Sequence, residues 1–340
     1  MKTSYLLHMV CFLCWMVPLV ATAQVHQKDT VSATSNEERT KEGFSYGILP
    51  VLGYNTDIGF QYGLVFNLFN YGKGDYYPEY KYSLYTEFSR TTRGGGINQL
   101  FFDSKYLLPK GIRITADFSY LTELALDFYG FNGYNTIYHP EFEDDSHPEY
   151  KSRVFYNYDR RFLRITADFQ GNLLDDNLLW LGGLGFFDLH IGSVEIDKLN
   201  KGKDDDEKLP DTDLLYDKYI EWDIIEEDEK DGGVIPSLKF GLIYDSRDNE
   251  PDPQRGLWSE VLFFYVPEGL EEGFSYLKMA VTHRQYLPLV RNRLVFAYRL
   301  GYQGTLAGEV PFFMQNYMIT SFAKVTTTDG LGGAKTLRGI

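Results

Sequence analysis

Eleven segments of this chain alternate apolar with polar residues, and nothing between them has the period of an amphipathic helix that could cover the apolar side. The clearest runs are Tyr80 to Phe88, Ile112 to Tyr120 and Arg293 to Tyr302. In the second, Ile112, Ile114, Ala116, Phe118 and Tyr120 oppose Arg113, Thr115, Asp117 and Ser119. In the third, Leu294, Phe296, Tyr298, Leu300 and Tyr302 oppose Arg293, Val295, Ala297, Arg299 and Gly301. Side chains of a strand switch face at every residue, so each run has one apolar face and one face carrying charge. One such strand also suits a soluble sheet. Eleven in succession with no covering helix require another arrangement, a closed barrel with lipid outside and water inside. Closure also removes the sheet edges that promote aggregation. The expected fold is therefore all-β, an antiparallel transmembrane barrel.

The strands are expected near 44–54, 57–69, 79–90, 96–108, 111–126, 154–170, 178–196, 235–246, 257–266, 274–287 and 291–303. Their connections differ by side. The long ones, Asp127 to Arg153, Asp197 to Val234 and the tail after Gln303, all follow odd-numbered strands. Turns such as Leu108-Pro109-Lys110-Gly111 and Leu287-Pro288-Leu289-Val290 follow even-numbered ones. Long external loops with short periplasmic turns are the pattern of outer-membrane barrels. The 27 Tyr and 25 Phe suit the aromatic girdles of such a wall. Arg-Ile-Thr-Ala-Asp-Phe occurs at Arg113 to Phe118 and again at Arg164 to Phe169. On neighbouring strands the two copies imply Arg and Asp pairing inside the lumen.

Residues 1–23 read as a secretory signal: Lys2, an apolar run from Met9 to Val20, and Ala21-Thr22-Ala23 before Gln24. Residues 24–42 are polar and aperiodic, the composition of a disordered leader, and 43–340 are assigned to the barrel. Cys11 and Cys14 leave with the signal, which excludes disulfides and thiolate metal sites from the mature chain. The formal charge of −15 argues against a nucleic-acid partner. No run after Gln24 is long and apolar enough for a membrane helix.

Catalytic and metal motifs are weak. Gly43-Phe44-Ser45-Tyr46-Gly47 has the letters of G-x-S-x-G, but it opens a strand and lacks the strand-to-helix turn that would expose Ser45. His26, His139, His147, His190 and His283 have no ligand spacing. The runs Asp204 to Glu207 and Glu226 to Glu229 lack the Ca²⁺-loop pattern and read as solvated loop. No cofactor, metal or enzymatic activity is expected.

Gly241 to Glu260, G-L-I-Y-D-S-R-D-N-E-P-D-P-Q-R-G-L-W-S-E, resembles the D-x-R-D-x-x-x-x-P-x-x-G turn of the BamA/TamA family of outer-membrane barrels, the bacterial surface antigens. The turn motif falls on Asp245, Arg247, Asp248, Pro253 and Gly256. In that family two further strands precede a long external loop that folds back into the lumen. Gly332, Gly333, Leu337, Arg338 and Gly339 match the Gly-Gly and V/L-R-G element at its tip. The family barrel has sixteen strands and this loop follows the eleventh, which implies that eleven of sixteen are present. Neither the periplasmic POTRA domains nor the last five strands appear in the sequence, so it is expected to be a POTRA-less member incomplete at its C-terminus.

The resemblance implies an outer-membrane location and a role in inserting or transporting polypeptides. The lipid bilayer and unfolded outer-membrane proteins are the implied partners. It also implies that Arg338 anchors the loop tip to an acidic group. The alternative is a passive pore or structural surface barrel with no client.

Overall fold

The computed structural model describes residues 40–130, 137–268, 273–290 and 293–321. These form one antiparallel sheet of eleven strands in chain order. The strands are β1 (Phe44–Asn55), β2 (Gly59–Asn70), β3 (Tyr82–Thr91), β4 (Gly96–Ser104), β5 (Arg113–Asp127), β6 (Asn157–Asn172), β7 (Leu178–Gly192), β8 (Gly232–Asp245), β9 (Gly256–Val266), β10 (Tyr276–Val290) and β11 (Leu294–Gly308). Every strand is a nearest neighbour of the one before it, the topology an up-and-down barrel wall requires. Among the described residues β1 and β11 are the two edges and do not pair with each other.

The pairing register sorts each residue to a face. Glu87, Gln99 and Ser119 lie in one cross-strand row, and Arg164 is the partner of Ser119. Two rows along the same face come Asp103, Thr115 and Asp168. These polar side chains point to the concave side, and most are buried there: Ser119, Asp117, Arg164 and Glu260 are all 3% exposed or less. The opposite face carries Phe88, Leu100, Phe118, Ile165, Leu184 and Phe240, each at least 43% exposed. Inside, these polar groups are buried beside an apolar cluster that includes Leu121, Phe187, Ile235, Leu262 and Phe264, while the outer face exposes large apolar side chains, unlike a soluble protein. Lipid against the outer face accounts for that exposure.

All the long connections lie at one end. Residues 128–156, 193–231 and 309–321 follow β5, β7 and β11. The opposite end carries the short turns 71–81, 105–112, 173–177 and 246–255. The long connections are not structureless. Leu215–Glu221 forms a helix that buries Leu215, Tyr216 and Tyr219, and Ile196–Asn200 forms another. Seven residues are too few to show a helical period in sequence, which is why no helix was expected there.

Two boundaries also differ from the expectation. β10 continues through Leu287-Pro288-Leu289-Val290, where Pro288 pairs with Val295 beside a β-bulge, instead of turning there. β11 runs to Gly308, so Gly304-Thr305-Leu306-Ala307-Gly308 is strand and the tail starts five residues later than the Gly-rich composition suggested.

Candidate functional site in the lumen

The turn between β8 and β9 is built by the motif residues themselves. Arg247 donates through Nε and Nη2 to both carboxylate oxygens of Asp245, at 2.9 and 2.7 Å. The Arg247 N–H donates to Asp245 Oδ1 at 3.1 Å. Asp248 Oδ1 accepts the N–H groups of Gln254 and Arg255 at 3.0 and 3.2 Å, closing the loop. At Gly256 φ is +100°, and a Cβ would lie 2.2 Å from the Ser246 carbonyl oxygen. Only glycine fits such a position. Pro253 sits half-buried in the same turn. Burial opposes the charge on Arg247, but Asp245 more than offsets it and raises the guanidinium pKa. Burial works the other way on Asp248, whose carboxyl is nevertheless held below its usual value by the two N–H bonds and by Arg255.

Glu250, which the motif leaves unspecified, extends this turn beyond its own hairpin. Its carboxylate accepts Arg113 Nη1 and Lys105 Nζ, both at 2.9 Å. Arg113 in turn grips Asp103 through Nε and Nη2, at 2.7 and 2.9 Å, and Lys105 reaches Glu79 at 3.2 Å. Three short turns, 71–81, 105–112 and 246–255, are thus joined at one mouth. The first and last are six strands apart, so the contact spans the concave face. Burial favours the neutral Glu250 carboxyl, but Arg113 and Lys105 win and draw its pKa down to about 2.

Deeper inside, the repeated hexapeptides meet as β5 and β6. Arg164 donates to Asp117 Oδ1 at 2.9 Å and to Ser119 Oγ at 3.2 Å, while Gln99 donates to Asp117 Oδ2 at 2.6 Å. The second Asp, Asp168, pairs with Lys239 of β8. Each partner completes the other's hydrogen bonds, as buried charge requires.

The tail turns back into this space. Phe312–Gln315 forms a short helix that buries Phe312, Phe313 and Met314 among Phe128, Tyr216 and Tyr219 of the long loops. Glu229 accepts the Phe312 N–H at 3.0 Å. Burial and the neighbouring Asp228, Glu226 and Glu309 raise the Glu229 pKa against that bond. Beyond the helix, Tyr317 packs on Phe187 and Phe264, and the segment is then held by its backbone. Lys278 donates to the carbonyls of Met314 and Gln315 at 3.2 and 3.1 Å. Gln303 donates to Tyr317 O at 2.8 Å and accepts the Ile319 N–H at 2.9 Å. Lys239 donates to Thr320 O and Gln170 to Ser321 O, each at 3.1 Å, while Glu260 accepts the Ser321 N–H at 3.0 Å. Five strands thus hold the last turn of this helix and the segment that follows it.

Asp245, Arg247, Asp248 and Gly256 are brought together by the fold, with Pro253 in the same turn. Gly332, Gly333, Leu337, Arg338 and Gly339 lie outside the described residues, as do residues 1–39 of the expected signal and leader. Sequence reasoning missed Glu250, Gln170, Lys239, Glu260, Lys278 and Gln303. The five on strands have inward parity as their only signal, which they share with many residues that hold nothing, and Glu250, in a turn, has no local signal at all. Ser45 lies in β1 with no helix behind it. Among the described residues no group of three or more His, Cys, Asp or Glu side chains converges as metal ligands.

A curved antiparallel wall that is apolar outside, charged inside and filled by its own returning tail defines a β-barrel membrane protein. Residues 28–322 match the Omp85 superfamily domain, and the chain belongs to that superfamily of outer-membrane barrels. This agrees with the BamA/TamA-type resemblance of the turn. Among solved structures, BamA from Haemophilus ducreyi lacking POTRA domains 1-3 is similar at 17% identity and a TM-score of 0.43. The match covers 85% of this chain and 46% of that one, so the sequence spans less than half of the solved chain. No curated protein sequence matches.

Proposed function

We propose that this barrel handles polypeptides at the outer membrane, inserting or transporting them. Membership of the Omp85 superfamily supports the class. The observation that carries the reading is the lumen's occupancy by a segment of the chain itself that is neither helix nor strand. Residues 317–321 are held by side chains that address backbone carbonyls and amides. Such bonds are available to any extended chain, because every residue offers the same donor and acceptor. A surface built this way suits clients of many sequences.

The test uses the full-length protein reconstituted in lipid vesicles and an unfolded outer-membrane protein as client. Faster acquisition of protease resistance by the client, relative to empty vesicles, is the expected result. The passive-pore alternative predicts steady conductance in a planar bilayer with no effect on client folding, and that pair of results would replace this reading.

A further inference from the structure

The outward face of the wall is apolar over most of its height, yet it carries arginines at one level. Following the pairing register from β3 to β8 gives a single row: Arg90, Gly96, Thr122, Arg161, His190 and Gly232. Parity places these on the same side as Phe88, Leu100, Phe118, Ile165 and Leu184, the lipid side. The row lies next to the long-loop end, because β3 ends at Thr91 and β8 begins at Gly232. From Thr86, Leu100, Phe118, Ile165, Phe186 and Pro236 downward, the outward positions of these six strands hold no charged side chain. The row therefore sits at the upper rim of the apolar band, and the rung between carries one charged side chain, Asp188, on the same face.

Their settings differ from free surface arginines. Arg90 lies over the Phe88 ring at 4.5 Å and donates to the Ser89 carbonyl and Asn98 Oδ1, both at 2.8 Å. This fixes the guanidinium flat against the wall beside the outward Tyr62 and Tyr120. Arg161 leaves more than half of its side chain exposed (53%), with only a long 3.9 Å contact from Nε to the buried Asp159. His190, its neighbour in the row, faces Asp188 at 3.3 Å. Arg90 and Arg161 stand three strand spacings apart, roughly 14 Å.

We propose that this row is a docking rung for phosphate-bearing lipid headgroups of the outer leaflet. Arg90 is held by neutral acceptors and Arg161 by one long carboxylate contact, and a lipid phosphate is the anion that the membrane itself supplies at that depth. Acyl chains would lie on Phe88, Leu100, Phe118 and Leu163 below. This inference is independent of any polypeptide client.

The experiment compares the full-length protein in phosphatidylcholine vesicles with and without a minor share of phosphatidic acid, reading co-purified phosphatidic acid by mass spectrometry. The variants are the double substitution Arg90→Gln with Arg161→Gln, and Arg255→Gln at the opposite mouth as control. Heat-modifiability in phosphatidylcholine alone establishes that each is folded. The expected result is about tenfold less retained phosphatidic acid in the double variant and wild-type retention in the control. Replacement of both arginines by lysine should retain most of the binding. Wild-type retention in the folded double variant would overturn the proposal. So would an equal loss in the control, or equal capture of inorganic phosphate from solution by the protein in neutral vesicles.

Discussion

At the scale of single residues, the wall is governed by which side a side chain faces. Arg164 and Asp117 are both almost fully buried, and the guanidinium is ion-paired with the carboxylate at 2.9 Å. Arg164→Ala should strand the Asp117 carboxylate in the lumen wall at a cost of about 3–5 kcal/mol, seen as a lower urea midpoint for the barrel in vesicles. Arg164→Lys should recover only part of this, because a point charge cannot replace a fork that reaches Asp117 and Ser119 together. A midpoint unchanged in the alanine variant would show that the pair is dispensable. Parity makes a second test on β11. Leu300→Arg, near the middle of β11, puts a charge toward lipid and should lower insertion yield, by about 2–4 kcal/mol at mid-membrane depth. Ala297→Arg, on the inward face, should insert nearly as well as the parent protein; equal yields for the two would contradict the register. The faces were legible from alternation alone, because a period of two leaves no freedom once one face must be apolar.

At the scale of elements, the turn after β8 shows how a motif can be legible while its reach is not. Asp245, Arg247, Asp248 and Gly256 are explained by bonds within twelve residues, so local spacing reveals them. Glu250 acts on Arg113, 137 positions away, and no local pattern encodes that contact. Its consequence depends on pH. A carboxyl whose folded pKa lies near 2, below its usual 4.5, stabilises the folded clasp at pH values above about 4.5. That contribution is lost as pH falls from there toward 2. Glu250 is partly exposed, so solvent screening keeps the energy modest. Glu250→Gln should therefore weaken the clasp at neutral pH and flatten its dependence between pH 5 and about 2. Urea midpoints of the barrel in vesicles from pH 7 to pH 2 check this: the expected outcome is a lower midpoint in the variant at neutral pH, converging with the parent at low pH. The helix Leu215–Glu221 was illegible for the opposite reason, being set by tertiary packing of Tyr216 and Tyr219 and not by local propensity.

At the scale of the whole molecule, the side with the long connections should face the outside of the cell. Protease added to intact cells should cut at Lys201 or Lys208, which are exposed or half-exposed, and spare the turn at Arg247 and Arg255. Lys203 in the same loop should resist, because it is buried against Asp57 at 3.1 Å. Cleavage at Arg255 with the loop intact would invert the topology. The external surface has one more property. Residues 128–156, 193–231 and 309–321 are separated in sequence but share one aromatic core through Phe128, Phe155, Tyr216, Tyr219 and Phe312. The loops are consequently a single engineering part. A foreign epitope grafted at Asp204-Asp205-Asp206, which point to solvent, leaves that core untouched and is displayed on a rigid base. The same graft at Phe155 or Phe312 would unseat all three segments together, so this barrel can carry a passenger at only a few positions on its outer face.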